Sequence, residues 1–397
     1  MGHYKEMYGY NNQGGNDFGD DKCLCEGHLK DDAIAEYIRK NSDDGVCSYC
    51  GEYTKIALAR DVFSFIKGGV FAFYGEVNDE GMAYETEEDG YHGAPKFDTE
   101  DMLYYEIGLE TDNDNLWKDI LLVFGNQEWC EKDPYADREN VELEYNWNQF
   151  KQVVKHKSRY VFLGSNQFKE SMNQLPVDEI LDDIGRRVDN LNLFKLLPIG
   201  TLLYRCRQHK SSEILTQAKQ LAAPPYHLAN TSNRMSPAGI SMFYCAFDVP
   251  TCHAETIDAT DIVKDQVTTG VFQNKEKLFL LDLTKLPALP SIFDPAKRNN
   301  YFSIMFLEKF VQDLSKPIEK DGSEHIEYVP TQIITEYFRY TYEDRTGGSV
   351  DGIIYPSSKL GGKYACVLFY DHVESIKKLE FVDTKLETTP IFKNSSN

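Results

Sequence analysis

The sequence lacks long apolar runs. None reaches the roughly 18 residues that a membrane-spanning helix needs, so no membrane span is expected. The first residues, Met-Gly-His-Tyr-Lys-Glu, also lack the basic and then apolar pattern of a secretory signal. We therefore expect a cytoplasmic protein.

Positive charge is also scarce. The 397 residues include 42 Lys and Arg against 64 Asp and Glu, for a net charge of −22. Nucleic-acid backbones and anionic membranes attract basic surfaces, so neither is an expected partner. Hydrophobic residues make up 41% of the chain and aromatic residues 13%, which is enough for large cores and excludes global disorder.

The nine cysteines are an odd number in a chain expected to be cytoplasmic, which argues against a disulfide framework. A Cys-x-x-Cys turn followed by Gly, typical of half a zinc site, lies in a cysteine module at residues 23–51. The predicted ligands of a structural Zn²⁺ are the four cysteines of this module, Cys23, Cys25, Cys47 and Cys50. His28 is the alternative to Cys25, because Cys-x-Cys is a cramped spacing. Reduced cysteines in a packed turn remain the competing interpretation.

The pattern of apolar residues changes along the chain. Residues 56–66 have helical periodicity, and the N-terminal half is predicted to be mainly helical. Short β-like runs follow at Met242–Phe247, Lys277–Leu283 and Gly352–Tyr355, with helices fitting between them. The fold class predicted for residues 197–380 is therefore α+β.

Two arginines stand at the end of a predicted strand near residue 205. Arg205 and Arg207 are two residues apart and would point to the same side of that strand, an arrangement suited to clamping a diphosphate. The competing interpretation is that both arginines are ordinary charged residues on the protein surface.

Polar residues also flank two later strands. Arg234 opens a Pro/Gly loop that leads into the apolar strand carrying Tyr244, and a short helix with Glu255 follows. The Glu255 carboxylate would face either solvent or a cleft. Ser357 and Ser358 follow a buried strand, where polar groups are well placed to meet a ligand.

Taken in order, these clusters resemble the RES domain, which is named for an Arg, a Glu and a Ser. The matching residues are Arg205 in Leu-Tyr-Arg, Glu255 in His-Ala-Glu-Thr and Ser357 in Tyr-Pro-Ser-Ser, with Ser357 preferred to Ser358 because it directly follows Pro356. Arg-Met-Ser-Pro-Ala-Gly and Asp-Gly-Ile also match the landmarks of that domain.

The N-terminal half is similar to the HEPN/RES N-terminal domain. The Cys-x-x-Cys-Gly turn and a Trp-Asn-Gln-Phe helix carry that match. The resulting prediction has five segments: a mobile tail (1–21), the HEPN/RES N-terminal domain (22–165), a helical connector (166–196), the RES domain (197–380) and a polar tail (381–397).

The resemblance implies an ADP-ribosyltransferase-like fold and an enzyme that degrades NAD⁺ by phosphorolysis or hydrolysis, with phosphate as the co-substrate of the former. Arg205, Glu255 and Ser357 would be catalytic. Tyr244, Arg207 and Arg234 would bind the substrate. Related RES proteins are toxins, so the protein is expected to be a toxin or defence effector with an antitoxin or regulatory protein as partner.

Three other functions compete with this one. ADP-ribosyl transfer to a macromolecule would use the same glutamate, and a non-catalytic sensor or interaction protein would keep the fold alone. HEPN domains also include RNases, which need a particular Arg–His spacing on a helix. None of the nine histidines matches that spacing, and the charge of −22 also disfavours RNA binding.

Overall fold

The structure is a computed structural model that describes residues 21–86, 90–161, 176, 179–318, 322–344 and 347–391. Their contacts divide them into two units. The first unit runs to Asp137 and also includes Leu289–Tyr301, whereas the second comprises Arg138–Ala288 and the chain from Phe302 onward. Almost all of the tail predicted at residues 1–21 and the last six residues of the tail predicted at 381–397 lie outside the described residues. Within the second of these segments, Glu387–Pro390 forms a strand of the sheet. The five-segment division as a whole stays a prediction.

The first unit combines helices with short strands. Its helices are α1 (Asp32–Lys40), α2 (Ala59–Val70), α3 (Thr99–Asp101), which continues as a π-helical turn at Met102–Glu106, and α4 (Asp114–Phe124). Its strands are β1 (Cys23–Cys25), β2 (Asp43–Val46), β3 (Tyr53–Leu58), β4 (Tyr74–Glu76), β5 (Ala83–Glu85), β6 (Gly90–His92), β7 (Phe97–Asp98) and β8 (Glu128–Glu131). They form three small sheets in the orders β1-β3-β2, β4-β8-β7 and β5-β6.

The core of the first unit is built from the apolar faces of α1, α2 and α4. Asp31 begins α1 by accepting hydrogen bonds from the Ala33 and Ile34 N–H groups at 2.9 and 3.0 Å. Phe293, from the segment Leu289–Tyr301, is 3% exposed and belongs to the same core. It packs so closely on Gly69 that a Cβ there would lie 2.4 Å from the Phe293 ring.

The helix predicted at residues 56–66 is correct only in its later part. The chain is extended in β3 as far as Leu58, and α2 begins at Ala59. The first residues of the run pair instead with β1 and β2. The same apolar side chains suit either a strand or a helix, and the sheet contacts decide between them.

The second unit contains eight helices and nine strands among its described residues. The helices are α5 (Glu139–His156), α6 (Glu179–Asn190), α7 (Ala218–Leu221), α8 (Val249–Thr256), α9 (Tyr301–Ser315), α10 (Glu324–Glu327), α11 (Val329–Tyr340) and α12 (His372–Lys378). The strands are β9 (Phe194–Leu197), β10 (Leu202–His209), β11 (Phe243–Ala246), β12 (Gln266–Asn274), β13 (Leu278–Asp282), β14 (Gly352–Pro356), β15 (Tyr364–Leu368), β16 (Leu379–Phe381) and β17 (Glu387–Pro390).

One curled sheet holds the second unit together. Its order is β16-β12-β10-β11-β15-β14-β13-β9, with β17 also paired to β12. All neighbours are antiparallel except β13 and β14. Two apolar clusters contain alternate residues of the central strands, as expected for a sheet covered on both faces. The predicted α+β class is confirmed, and no described helix is long and apolar enough to cross a membrane.

Candidate active site

Three secondary-structure elements carry the predicted catalytic residues. Arg205 lies within β10, Glu255 in the last turn of α8, and Ser357 directly after β14. Asp248 begins α8 by accepting hydrogen bonds from the N–H and hydroxyl of Thr251 at 2.8 and 2.7 Å, and proline occupies the first turn. This cap fixes where the helix starts and therefore where Glu255 lies.

Glu255 and Ser357 are in direct contact. The Ser357 hydroxyl donates a hydrogen bond of 2.5 Å to Glu255 Oε1 across 102 residues of sequence. The same hydroxyl oxygen accepts from the N–H groups of Lys359 and Leu360 at 3.2 and 3.0 Å. Both acceptor positions of the oxygen are thus used, which directs its single proton towards the carboxylate. Ser357, not Ser358, has this contact with the glutamate.

Arg205 links two strands that diverge. β10 and β11 pair only at Tyr204 and Ala246. Beyond that pair, Arg205 Nη1 donates a 2.6 Å hydrogen bond to the main-chain carbonyl of Tyr244 in β11. The guanidinium carbon also lies 5.1 Å from the centre of the Phe243 ring. Burial lowers the pKa of Arg205, although an arginine remains cationic at neutral pH.

The Tyr244 side chain is held at both ends. Its ring packs against the larger apolar cluster of the second unit, and its hydroxyl shares a 2.9 Å hydrogen bond with Ser236. Burial raises the pKa of Tyr244 to about 12. The residue therefore presents a neutral, fixed aromatic ring.

Arg234 is bound by main-chain carbonyls at the end of α9. Its Nη1 donates to Leu314 O at 2.6 Å and its Nη2 to Lys316 O at 2.8 Å. The guanidinium also lies 5.7 Å from the Tyr328 ring centre. A cation at a helix C-terminus is favourable, because the last carbonyls there lack helical partners. Arg234 thus anchors the loop before Tyr244, and its predicted role in substrate binding stays a prediction.

Arg207 has different partners from Arg205. It is exposed, lies 3.4 Å from Glu213 and donates to the Gln220 carbonyl at 3.3 Å. Within the described residues, no hydrogen bond or ion pair joins it to Glu255. The diphosphate clamp expected from the two-residue spacing of Arg205 and Arg207 stays a prediction.

Two residues near this site were given no role by the sequence. Ser236 is the hydrogen-bond partner of Tyr244. Tyr355 is buried in β14, and burial raises its pKa well above the usual range, with further contributions from Tyr244 and Glu255. The sequence cue that could have indicated Tyr355 is its position two residues before Ser357, because residues two apart along a strand share a face.

Comparison with protein families gives two matches. The RES domain matches residues 202–387, and HEPN/RES N-terminal domain 1 matches residues 40–168. The chain joins a HEPN/RES N-terminal domain to a RES domain. The predicted resemblance is confirmed, and a RES domain is consistent with an NAD⁺-utilising enzyme of toxin-like function. No curated protein was found to match the chain.

The chain of this RES protein also has a Cys/His cluster in its first unit. The ligand atoms of Cys25, His28, Cys47 and Cys50 all lie within 4.8 Å of one another. Cys25 Sγ is 3.9 Å from Cys50 Sγ, and His28 Nε2 is 3.3 Å from Cys47 Sγ. A tetrahedral zinc ion with Zn–S of about 2.3 Å and Zn–N of about 2.0 Å separates its ligand atoms by roughly 3.5 to 3.8 Å. The donor set and its spacing therefore fit a zinc ion.

This grouping corrects the expected ligands. Cys25 is a member as predicted, and His28, the alternative to Cys25, is a member beside it. Cys23 lies outside the cluster, with its Sγ 3.7 Å from Asp21 O. The reason is the extended geometry of β1, because residues two apart in a strand are separated by roughly 6.6 Å. The single 3₁₀ turn at Glu26–His28 instead brings His28 back towards Cys25.

Proposed function

We propose that this protein cleaves the bond between nicotinamide and ribose in NAD⁺. The observation that carries the proposal is the 2.5 Å hydrogen bond from Ser357 to Glu255, which unites two RES landmarks from distant parts of the chain. A carboxylate oriented by a fixed donor is suited to a reaction that develops positive charge. The RES domain match supports NAD⁺ as the substrate.

In the proposed reaction, the bond between ribose C1′ and the pyridine nitrogen breaks and its electron pair leaves with nicotinamide. The sugar passes through an oxocarbenium-like state, which the Glu255 carboxylate would stabilise. Because the Ser357 proton is directed at Oε1, the carboxylate is held in one orientation before substrate arrives. The new bond to C1′ comes from phosphate oxygen in phosphorolysis, or from water, which also releases a proton, in hydrolysis.

Two further residues would position the substrate. The fixed ring of Tyr244 would stack on nicotinamide. Among the described residues, Arg205 donates one hydrogen bond, to the Tyr244 carbonyl, so its remaining N–H groups are available to the diphosphate. The substrate-binding roles predicted for Arg207 and Arg234 stay predictions, and both side chains already have protein partners.

The test is nicotinamide release by the purified full-length chain, with and without phosphate. We expect release by the wild type and its loss in Glu255→Gln, which keeps the shape and removes the charge. Glu308→Gln, an exposed position on α9, is the matched control and should keep full activity. A requirement for phosphate would identify phosphorolysis.

Absence of cleavage would overturn this proposal, whereas transfer of ADP-ribose to a protein would overturn only the choice of phosphate or water as the acceptor. Absence of nicotinamide release under every condition would favour a non-catalytic sensor. Release accompanied by label from adenine-labelled NAD⁺ on a protein would instead identify ADP-ribosyl transfer.

We further propose that the activity makes the protein a toxin or defence effector that an antitoxin or regulatory protein holds in check. Expression should then deplete cellular NAD⁺ and stop growth, and Glu255→Gln should do neither. Growth arrest by both forms would contradict this proposal, because the arrest would not need the carboxylate.

For the Cys/His cluster, we propose a structural zinc ion held by Cys25, His28, Cys47 and Cys50. The N–H of Tyr49 donates to Cys47 Sγ at 3.5 Å, as suits a thiolate ligand. The turn is closed by Gly51, whose N–H bonds to Cys47 O at 2.9 Å with φ of 77°. Four protein ligands leave no open position for catalysis, so the ion would stabilise the fold.

A further inference from the structure

Tyr355 occupies a central position in the sheet beside the candidate active site. It lies on β14, opposite Ala365 of β15, and is 6% exposed. Ile353 and Tyr355 belong to one apolar cluster and Ile354 to the other, as strand alternation requires. Two residues further along the chain, Ser357 contacts Glu255.

The Tyr355 hydroxyl has no hydrogen-bond partner among the described residues, which is unusual for a buried phenol. By contrast, the Tyr337 hydroxyl donates to Asp182 at 2.9 Å and that of Tyr342 to Asp189 at 2.5 Å. Among the described residues, the buried side-chain polar atoms of Asn140, Asn146 and Ser315 lack a hydrogen-bond partner. The Tyr355 hydroxyl is not one of these, so its oxygen still opens onto accessible space.

The groups around Tyr355 indicate what that space would receive. Its electrostatic neighbours are Tyr244, Glu255, Cys366 and Arg234. Burial keeps the phenol protonated, so its O–H remains a donor that needs an acceptor. Glu255, which acts only as an acceptor when ionised, needs donors. A sugar hydroxyl satisfies both groups at once, because its oxygen accepts from the phenol while its proton is donated to the carboxylate.

We propose that Tyr355 is a further substrate-binding residue, whose hydroxyl donates a hydrogen bond to a hydroxyl of the ribose attached to nicotinamide. The inference rests on the proposed function and deepens it, since it assigns the ribose a place between Tyr355 and Glu255. In the free protein the Tyr355 hydroxyl has no acceptor among the described residues, and in the complex the ribose hydroxyl oxygen would be that acceptor. Binding energy is thereby gained at the sugar whose C1′ bond is broken.

The test uses Tyr355→Phe in the full-length chain. Since no protein hydrogen bond is lost, we expect an unchanged Tm. Loss of one neutral hydrogen bond to substrate should lower kcat/KM for NAD⁺ by about 3- to 10-fold. The inhibition constant of ADP-ribose should rise by a similar factor, whereas that of nicotinamide, which has no ribose, should not change.

Tyr342→Phe is the matched control. It removes the hydrogen bond to Asp189 and should lower Tm without changing kcat/KM. A wild-type kcat/KM in an active Tyr355→Phe enzyme would overturn the inference alone and leave the proposed function standing. A lower Tm in Tyr355→Phe, or a change confined to nicotinamide inhibition, would also overturn it. Absence of NAD⁺ cleavage by the wild type would overturn the proposed function itself.

Discussion

Replacing Ser357 by alanine is the sharpest test of the Glu255–Ser357 pair. The change removes the 2.5 Å hydrogen bond to Glu255 and the oxygen that accepts from Lys359 and Leu360. A hydrogen bond to a charged group contributes about 1.5 to 3 kcal/mol. Because Ser357 is only half-buried, we expect a value in the lower part of that range, about 1.5 to 2 kcal/mol. Since each 1.4 kcal/mol is a factor of about ten, kcat/KM for nicotinamide release should fall about 10- to 30-fold.

Ser358→Ala provides the control, because the neighbouring serine has the same chemistry without the contact. We expect its kcat/KM to stay within about 3-fold of wild type, the range of a modest surface change. Both variants should be compared by chromatography of released nicotinamide after Tm confirms folding. Equal activity in wild type and Ser357→Ala, or a large loss only in Ser358→Ala, would refute the assignment of Ser357.

Two further predictions concern the first unit. Cys50→Ser should lose the zinc measured by mass spectrometry, whereas Cys23→Ser should retain one ion per chain, and equal retention by both would contradict the proposed ligands. Phe293→Ala should lower the free energy of unfolding of this unit in urea by about 3 to 5 kcal/mol, because it empties a buried ring-sized space against Gly69. Leu289→Ala, at a 42% exposed position in the same segment, should change it little, and equal effects would refute the packing argument.

Much of the second unit could be predicted from local patterns, but β12 could not. Its residues, Gln266–Asn274, are almost all buried and show no simple alternation of apolar and polar side chains. Thr268 and Thr269 are buried because distant histidines bind them: His209 contacts Thr268 at 2.7 Å and His253 contacts Thr269 at 2.8 Å. From sequence alone, a threonine is expected to be exposed, because the distant residue that completes its hydrogen bonds is not known. The strand was therefore not predicted.

The same limitation applied to Phe293. Its segment lies within residues predicted, and later matched, as RES domain, yet it packs in the core of the first unit. The predicted segments place residues 1–165 entirely before the RES domain. Removing them would leave Phe293 without the core that buries it, so a chain truncated at residue 165 would lose part of the packing of its RES segment.

The sequence by itself determined the kinds of residue available and their order. Short motifs around Arg205, Glu255 and Ser357 sufficed to predict the RES domain and the α+β fold, because motif order and apolar periodicity are local properties. Tertiary structure alone decided which side chains meet. It paired Glu255 with Ser357 and not Ser358, and it put His28 with Cys25 where Cys23 was expected. Those choices depend on distances of a few ångströms between residues far apart in the chain, which no local pattern encodes.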